Sequence, residues 1–332
     1  MGQKTVEKVS TKAKLLVHLR KSAGKSVSGS LLAKDLGISR VAVWKGMQSL
    51  IEAGYPIVTL DSGYSLEAGK ADDFLYSWEF GEQESMFRYF EHLSSTMDSA
   101  REFALKQEAA CVIIAGTQYA GRGRNGRSWA SRQGGLFCTI LERPNMTIAD
   151  YCQPLMIYQI AIARMVASIC GKPAWLRWPN DVYIGKRKIA GVMTELGGEA
   201  DSIKWLALGI GVNVNNQLSL EKAVSCAELS GHPVSRREVL LKIIDEVQQL
   251  KQQTNSSMVY AQGNRLLADE WNAIADGKGA KAAVIDSHDR VLAKGIYSGV
   301  DPAGRCIINS ENGKGTLYFN PGPVSVVFLN EK

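Results

Sequence analysis

Apolar and polar positions follow two rhythms along this chain, and the switches between them mark its elements. Leu15, Leu16 and Leu19 in TKAKLLVHLR recur at helical spacing, the period that turns one stripe toward a core. The stretch SGSLLAKDLGISRVAVWKGMQSLIEAG that follows reads as helix, short turn, helix. Ser28 or Ser30 is placed to cap the first helix, Gly37 to end it, and Ser39 to cap the second, which runs to about Ala53. On that second helix Val43, Met47, Leu50 and Ile51 share an inward face, and Arg40, Val41, Trp44, Lys45 and Gln48 share the opposite one. YPIVTLDSGYSLE then gives two short strands around Asp-Ser-Gly, a wing.

Farther along, MFRYFEHL, CVIIAG, GLFCTILE, AWLRWPNDVYI, KIAGVMTELG and IKWLALGIGVNV read as strands. A helix is expected after Ser95 or Thr96, a longer one over roughly 149–170, and a third in REVLLKIIDEVQQLKQQ, with Val239, Leu240, Ile243, Ile244 and Val247 inward. Helices scattered irregularly among many strands predict an α+β fold and not a doubly wound parallel sheet. The last stretch holds only short strand-like runs, punctuated by the turn signals SHD, DPAG and ENGKG, which predicts a small β-barrel. The expected division is a winged helix-turn-helix over 1–68, a linker over 69–83, a central mixed α/β domain over 84–275 and the barrel over 276–332.

Composition is that of an ordinary globular protein: of 332 residues, 45 % are hydrophobic and 22 % charged. The apolar runs read as shorter than a membrane span, and no signal peptide is evident, so no membrane partner is expected. Six cysteines without a C-x-x-C pair, and four histidines far apart, argue against a zinc or dithiol site and leave no metal assigned to side chains. Scattered thiols suit a reducing cytoplasm. The net charge of +6 is unevenly placed: residues 1–66 hold ten Lys/Arg and four Asp/Glu, leaving 29 of each sign elsewhere. An excess confined to the head points to a polyanion, and a helix face offering Arg, Lys and Gln suits the DNA major groove. Ser39, Arg40, Trp44, Lys45 and Gln48 are the candidate DNA contacts, although Trp44 taken alone reads as a half-buried packing residue.

GRGRNG (Gly121–Gly126) matches the G-x-G-x-x-G pattern of a dinucleotide loop. Such a loop must lead into a helix whose free N–H groups hold the pyrophosphate. Here RSWASRQGG and a second strand-like run follow instead. Three arginines, Arg122, Arg124 and Arg127, crowd the segment. A glycine-rich mobile loop carrying guanidinium groups suits a different anion.

GRGRNGRSW, then WPND (Trp178–Asp181), then KRKIAG (Lys186–Gly191), occur in the order seen in the biotin protein ligases, which the chain resembles. With a helix-turn-helix in front, the resemblance extends over essentially the full length to the bifunctional members that also repress the biotin operon. It implies a central domain of the biotin/lipoate ligase type and an SH3-like C-terminal barrel. The implied reaction joins biotin to the α-phosphate of ATP and passes the biotinyl group to a lysine of a biotin carboxyl carrier protein, with Mg²⁺ on the nucleotide phosphates. Ser95, Thr96, Gln118, Gly121 and Arg122 are implied to bind biotin, Ser95 and Thr96 serving equally as a helix cap. Arg124, Arg127, Trp129, Asn180 and Asn213 are implied to hold the adenylate. Trp129 reads equally well as core, and Gly209–Asn215 as a strand packed close to its neighbours. Lys188 is expected on the ligand carboxylate and α-phosphate, Arg124 on the adenylate, and Asp181 near the incoming amine. Operator DNA, bound as a homodimer holding biotinyl-5'-AMP, completes the implied partners. The chain departs from the family at Asn125, where some relatives carry arginine, and at Met97-Asp98, where close relatives carry other polar residues. A ligand sensor without catalysis and a lipoate ligase are the competing readings.

Overall fold

The computed structural model describes residues 9–22, 24–67, 73–144, 146–199, 202–219, 221–255, 260–311 and 315–329. Two compact units form: Met1–Tyr89 with Ser235–Arg237, and Phe90–Val234 with Glu238–Lys332.

The first unit contains α1 (Thr11–Lys21), α2 (Gly29–Leu36), α3 (Arg40–Glu52) and the hairpin β1 (Ile57–Leu60) and β2 (Gly63–Leu66). Serine begins each helix. The hydroxyls of Ser10, Ser28 and Ser39 accept from the amides of Ala13, Leu31 and Ala42 at 3.2, 3.1 and 3.1 Å, filling orphan donors of the first turn. Ser28, not Ser30, caps α2, and Gly37 ends it at φ 63°. Leu15, Leu16, Leu19, Leu32, Val43, Met47 and Leu50 make the core. Gly46 lets α1 lie close, since a Cβ there would stand 2.5 Å from Leu15 Cδ1. The wing closes where Val27 and Tyr64 exchange backbone hydrogen bonds at 2.9 Å. Trp44, expected to pack, is instead 54 % exposed, because Gly46 and Met47 fill the inward face.

The segment expected as a linker is structured in its described part, while 68–72 lie outside the described residues. Phe74, Tyr76 and Trp78 pack on the core of the head, and a 3₁₀ stretch spans Ser77–Met86. Aromatic side chains at alternate positions 74, 76 and 78 give neither rhythm enough length to be recognised. Glu79 follows, 3 % exposed. Its carboxylate accepts from Arg20 at 2.7 and 3.0 Å and from the Tyr55 hydroxyl. Burial first, then Glu79, holds the Tyr55 phenol far above its usual range, so it stays a donor.

The second unit is built on an eight-stranded sheet. Its strands are β3 (Phe87–Leu93), β4 (Cys111–Gln118), β5 (Leu136–Glu142), β6 (Met146–Thr147), β7 (Trp175–Arg177), β8 (Asp181–Ile184), β9 (Arg187–Glu199) and β10 (Ser202–Val212). The order is β3-β4-β5-β10-β9-β8-β7, with β6 against β10. From β4 to β7 every pairing is antiparallel, in keeping with α+β. AWLRWPNDVYI is a hairpin and not one strand: the chain reverses between β7 and β8, where the Trp178–Pro179 peptide is cis. The helices are α4 (Thr96–Leu105), α5 (Cys152–Cys170), α6 (Cys226–Ser230), α7 (Arg236–Asn255) and α8 (Tyr260–Ala273). At 19 residues α5 is long and apolar enough to cross a bilayer, contrary to the expectation from run length. It is a core helix, with 72 % of its apolar window buried. No strong period announces α8, which is anchored by Leu267, Ala268 and Trp271; the Trp271 indole N–H donates to Gln159 at 3.2 Å.

The C-terminal region is a five-stranded antiparallel sheet, consistent with the small barrel expected there. It comprises β11 (Lys281–Ile285), β12 (Val291–Val300), β13 (Cys306–Ser310), β14 (Thr316–Phe319) and β15 (Ser325–Phe328), in the order β14-β13-β12-β11-β15. The expected turns SHD and DPAG are held by Asp286 and Asp301, whose carboxylates accept backbone N–H groups within each turn. Most of ENGKG, 312–314, lies outside the described residues.

Glu79→Ala leaves the Tyr55 hydroxyl and Arg20 without their shared acceptor in a buried setting. The expected loss is about 3 kcal/mol of head stability, read by urea unfolding; a change within 0.5 kcal/mol, the range typical of surface positions, contradicts this account of the network.

Candidate active site

The polar floor of the site begins where β3 hands over to α4. Ser95 caps α4 through its hydroxyl, which accepts from Met97 N at 3.2 Å. The backbone N–H of Thr96 donates to Gln118 Oε1 at 2.7 Å, and the Thr96 hydroxyl reaches the same oxygen at 3.2 Å. A backbone donor fixes which end of the Gln118 amide is oxygen. The Nε2 end therefore donates to Ser131 Oγ, at 2.7 Å. Behind Thr96 lies Thr139, fully buried, its hydroxyl donating at 2.8 Å. Ser95 and Thr96 are 2 % and 3 % exposed, so the cap and the cavity wall are one structure.

Over this floor runs the arginine loop between β4 and β5. It folds back on itself: Trp129 N donates to Gly121 O at 2.9 Å, and Gly123 N to Arg127 O at 2.7 Å. Its tip is a short 3₁₀ turn at Arg124–Gly126, with Asn125 at φ 56° and Gly126 at φ 71°. Asparagine tolerates the left-handed region better than arginine, which gives a backbone reason for Asn125. A Cβ at Gly121 would stand 2.5 Å from both Trp129 O and Ser131 Oγ. Strand β5 follows the loop without an intervening helix. The dinucleotide reading is excluded by that geometry.

The cationic wall comes from the β8–β9 hairpin. Its register slips between Val182 and Tyr183: Val182 faces Ala190, and Tyr183 faces Lys188. The extra residue, Ile189, is a bulge on β9, and a bulge re-aims the side chains that follow. Lys188 thereby shares a face with Gly191, where a Cβ would meet Lys188 Cε at 3.4 Å and Asp181 Oδ1 at 3.3 Å. Its ammonium stands 2.6 Å from Asp181 Oδ1 and 5.0 Å over the Trp129 ring. The backbone of Lys188 is pinned on both sides, to Lys222 O at 2.8 Å and Val224 N at 3.0 Å. Gly209 and Gly211 of β10 make room for Met97 and Trp129: a Cβ on either would lie 2.6 Å from those side chains. The Trp129 indole N–H is buried with no hydrogen-bond partner among the described residues.

These elements surround a cavity of about 300 Å³. Ser95, Thr96, Gln118, Arg122, Arg124, Arg127, Trp129, Asn180, Asp181 and Lys188 all line it. Gly121 and Asn213 do not. Gly121 shapes the loop, and Asn213 is buried with its Oδ1 accepting from Asn216 at 3.1 Å. Gly209, Ile210 and Gly211 line the cavity while β10 remains a central strand. Arg177, Ser131 and Thr139 went unforeseen. For Thr139 and Ser131 the available signal was a small polar residue in or beside an apolar run.

Five cations reach the cavity wall, and their pairing is unequal. Lys188 has Asp181, Arg177 has Asp276 at 2.6 Å, and Arg122 has Asp98 at 2.5 Å. Asp98 is thus a local counter-charge, which gives that departure from the family a structural role. Arg124 and Arg127 have no carboxylate partner among the described residues. Arg124 is bound to neutral oxygens, Asn180 Oδ1 at 3.2 Å, Val324 O at 2.8 Å and Gly322 O. Burial lowers its guanidinium from the ordinary value, with Asp181 opposing. The cavity therefore presents unneutralised positive charge above a floor of neutral hydrogen-bonding groups.

Residues 89–215 match the biotin/lipoate A/B protein ligase family, and residues 11–65 match an HTH domain. The bifunctional ligase/repressor BirA of Bacillus subtilis is 30 % identical over 251 residues, which cover 71 % of this chain and 77 % of that protein. The chain belongs to the biotin/lipoate protein ligase family. A second family member, the biotin–[acetyl-CoA-carboxylase] ligase of Paracoccus denitrificans, is 27 % identical over 71 % of this chain and 97 % of its own length. The biotin protein ligase from Aquifex aeolicus, solved in complex with biotin and ATP, shares the fold with a TM-score of 0.61 and 24 % identity. It covers 73 % of this chain and 98 % of that one.

Gly211→Ala forces the Trp129 indole toward the cavity. The family's small ligand is then expected to bind at least tenfold more weakly by calorimetry, the scale of an overpacked site. Unchanged affinity contradicts the close fit of Trp129 on β10.

Proposed function

We propose that the chain is an ATP-dependent biotin protein ligase that also binds operator DNA and represses genes of biotin synthesis and uptake. The observation that carries this reading is the cavity itself: Arg124 and Arg127, unneutralised, stand over the Ser95, Thr96 and Gln118 floor, beside Lys188. Relatives named as bifunctional ligase/repressors and the N-terminal HTH match support the second role.

A carboxylate does not acylate an amine unaided. In the first step a biotin carboxylate oxygen attacks the α-phosphorus of ATP, the bond from that phosphorus to the β-bridging oxygen breaks, and pyrophosphate leaves. In the second the ε-amine of a carrier-protein lysine attacks the acyl carbon, the bond to the phosphate oxygen breaks, AMP leaves, and the nitrogen loses a proton. Charge grows on the phosphoryl oxygens in the first step, where fixed cations are the strongest available lever. Lys188 serves the carboxylate and the α-phosphate, and Arg124 and Arg127 close over the adenylate and slow its escape. Trp129 and Asn180 complete the nucleotide side. The ureido ring meets Ser95, Thr96 and Gln118, because a buried polar ring needs partners to bind selectively. Asp181, paired with Lys188, positions the incoming amine once the lysine turns to the ligand.

Among the described residues no three His, Cys, Asp or Glu side chains cluster to hold a metal ion. The residues present do not make a metal site by themselves, and Mg²⁺ belongs in this reading to the nucleotide phosphates as part of the substrate. The partner proteins are carrier domains of biotin-dependent carboxylases. The six cysteines, all buried and none in a disulfide, suit a reducing cytoplasm.

For the second role, Ser39 at the N-cap and Arg40, Trp44, Lys45 and Gln48 of α3 meet the DNA, with one recognition helix per chain. Two copies therefore serve a palindromic site, and the adenylate-bound form is the one that pairs. A lipoate ligase lacks support from the fused head, and a sensor without catalysis has no use for a lysine held at the reacting centre.

Two outcomes follow. With biotin, ATP, Mg²⁺ and a carrier domain, mass spectrometry is expected to show one biotinyl group on the carrier lysine, and Lys188→Ala to slow transfer about 10²–10³-fold. Unaltered transfer by that variant contradicts the role of Lys188. In gel shifts, DNA affinity is expected to fall steeply with salt and to rise on adding biotin plus ATP; indifference to the ligands rejects the coupling.

A further inference from the structure

The outer face of α3 carries an apolar pair that the head does not use. Val41 and Trp44 are 61 % and 54 % exposed. They stand three residues apart, neighbours on one helix face. The core beneath is complete without them, filled by Val43, Met47 and Leu50 with Leu15, Leu16 and Leu19. Arg40 and Lys45, both exposed, flank the pair. The whole excess positive charge of the chain lies within residues 1–66, and with Arg40 and Lys45 beside the pair this face suits a polyanion. That excludes an apolar protein surface as the first choice, yet a purely electrostatic grip on phosphates has no use for an exposed valine and indole. In the major groove the conspicuous apolar group is the 5-methyl of thymine.

We propose that Val41 and Trp44 read thymine methyl groups in the major groove, while Arg40 and Lys45 supply contacts to phosphates and base edges. The proposal rests on the DNA-binding role given above and adds the chemistry that sets its sequence preference. Trp44 lies one turn into α3, where a recognition helix reaches the bases. Its ring covers enough area to shield a methyl group from water. Val41 covers a second methyl or the flank of the same one.

The test uses the full chain incubated with biotin and ATP. Duplexes are selected from a random-sequence DNA pool, and each thymine of the best binder is then replaced by deoxyuridine, which keeps pairing and loses only the methyl. Wild type is expected to lose about fourfold in affinity for each methyl that is read, the worth of one buried carbon group. Trp44→Ala is expected to bind thymine and deoxyuridine duplexes equally, and Val41→Ala to keep part of the difference. Both variants keep the wild-type unfolding temperature and carrier biotinylation, since neither side chain belongs to a core or to the ligase cavity. Equal losses in wild type and Trp44→Ala overturn the proposal, as does a wild type indifferent to every methyl. A Trp44→Ala protein that loses self-association while keeping the methyl preference overturns it in favour of a contact between copies. If wild type retains no duplex even at low salt, the DNA-binding reading itself fails and this inference with it.

Discussion

A carboxylate and a triphosphate carry charge of the same sign, and bringing their reacting atoms together requires cations already in place. Water supplies such stabilisation only by reorganising, whereas a folded site holds it ready. Arg124 illustrates how. Its guanidinium is partly buried and bonded to Asn180 Oδ1 and to the carbonyls of Gly322 and Val324, neutral acceptors that orient it without cancelling its charge. Lys188 is held differently, against Asp181. In the proposed reaction the ligand draws it away from that carboxylate, which leaves Asp181 free at the second step. Two cations without a carboxylate among the described residues and one with a carboxylate partner form a graded set at the cavity wall.

The sheet makes that arrangement possible by leaving side chains out. Gly209 and Gly211 on β10 and Gly191 on β9 clear space for Met97, Trp129 and the Lys188–Asp181 pair. The bulge at Ile189 then turns Lys188 toward the space so created. Neither device is available to a regular, fully substituted strand. The floor obeys the same economy: one amide, Gln118, is fixed by Thr96 on one side and Ser131 on the other, so its polarity is settled before any ligand arrives.

Much of this was legible in the sequence because local rules and global fold agree. Serine caps, Gly37 and the helical stripe of α3 are local signals, and each is found as read. The three motifs mark the loop and the β8–β9 hairpin because glycine, proline and arginine there serve geometry as well as charge. What escaped depends on contacts distant in sequence. Arg177 is a cavity cation only because β7 and β8 form a hairpin at Trp178–Pro179, and Asn213 leaves the cavity because Asn216 claims its oxygen. Trp44, which taken alone reads as half-buried, is exposed because the inward face it lies opposite is already full. The packing of Phe74, Tyr76 and Trp78 was not legible because the core they join lies in residues far upstream.

The central claim is that the loop and Lys188 stabilise an acyl-adenylate formed from biotin and ATP. The most direct measurement offers the purified protein biotin and α-labelled ATP with no carrier, followed by rapid gel filtration. About one labelled adenylate per chain is expected to travel with wild type, and markedly less with Arg124→Gly, whose pyrophosphate release continues as the intermediate escapes. A wild-type protein that releases no pyrophosphate and retains no label under these conditions contradicts the account.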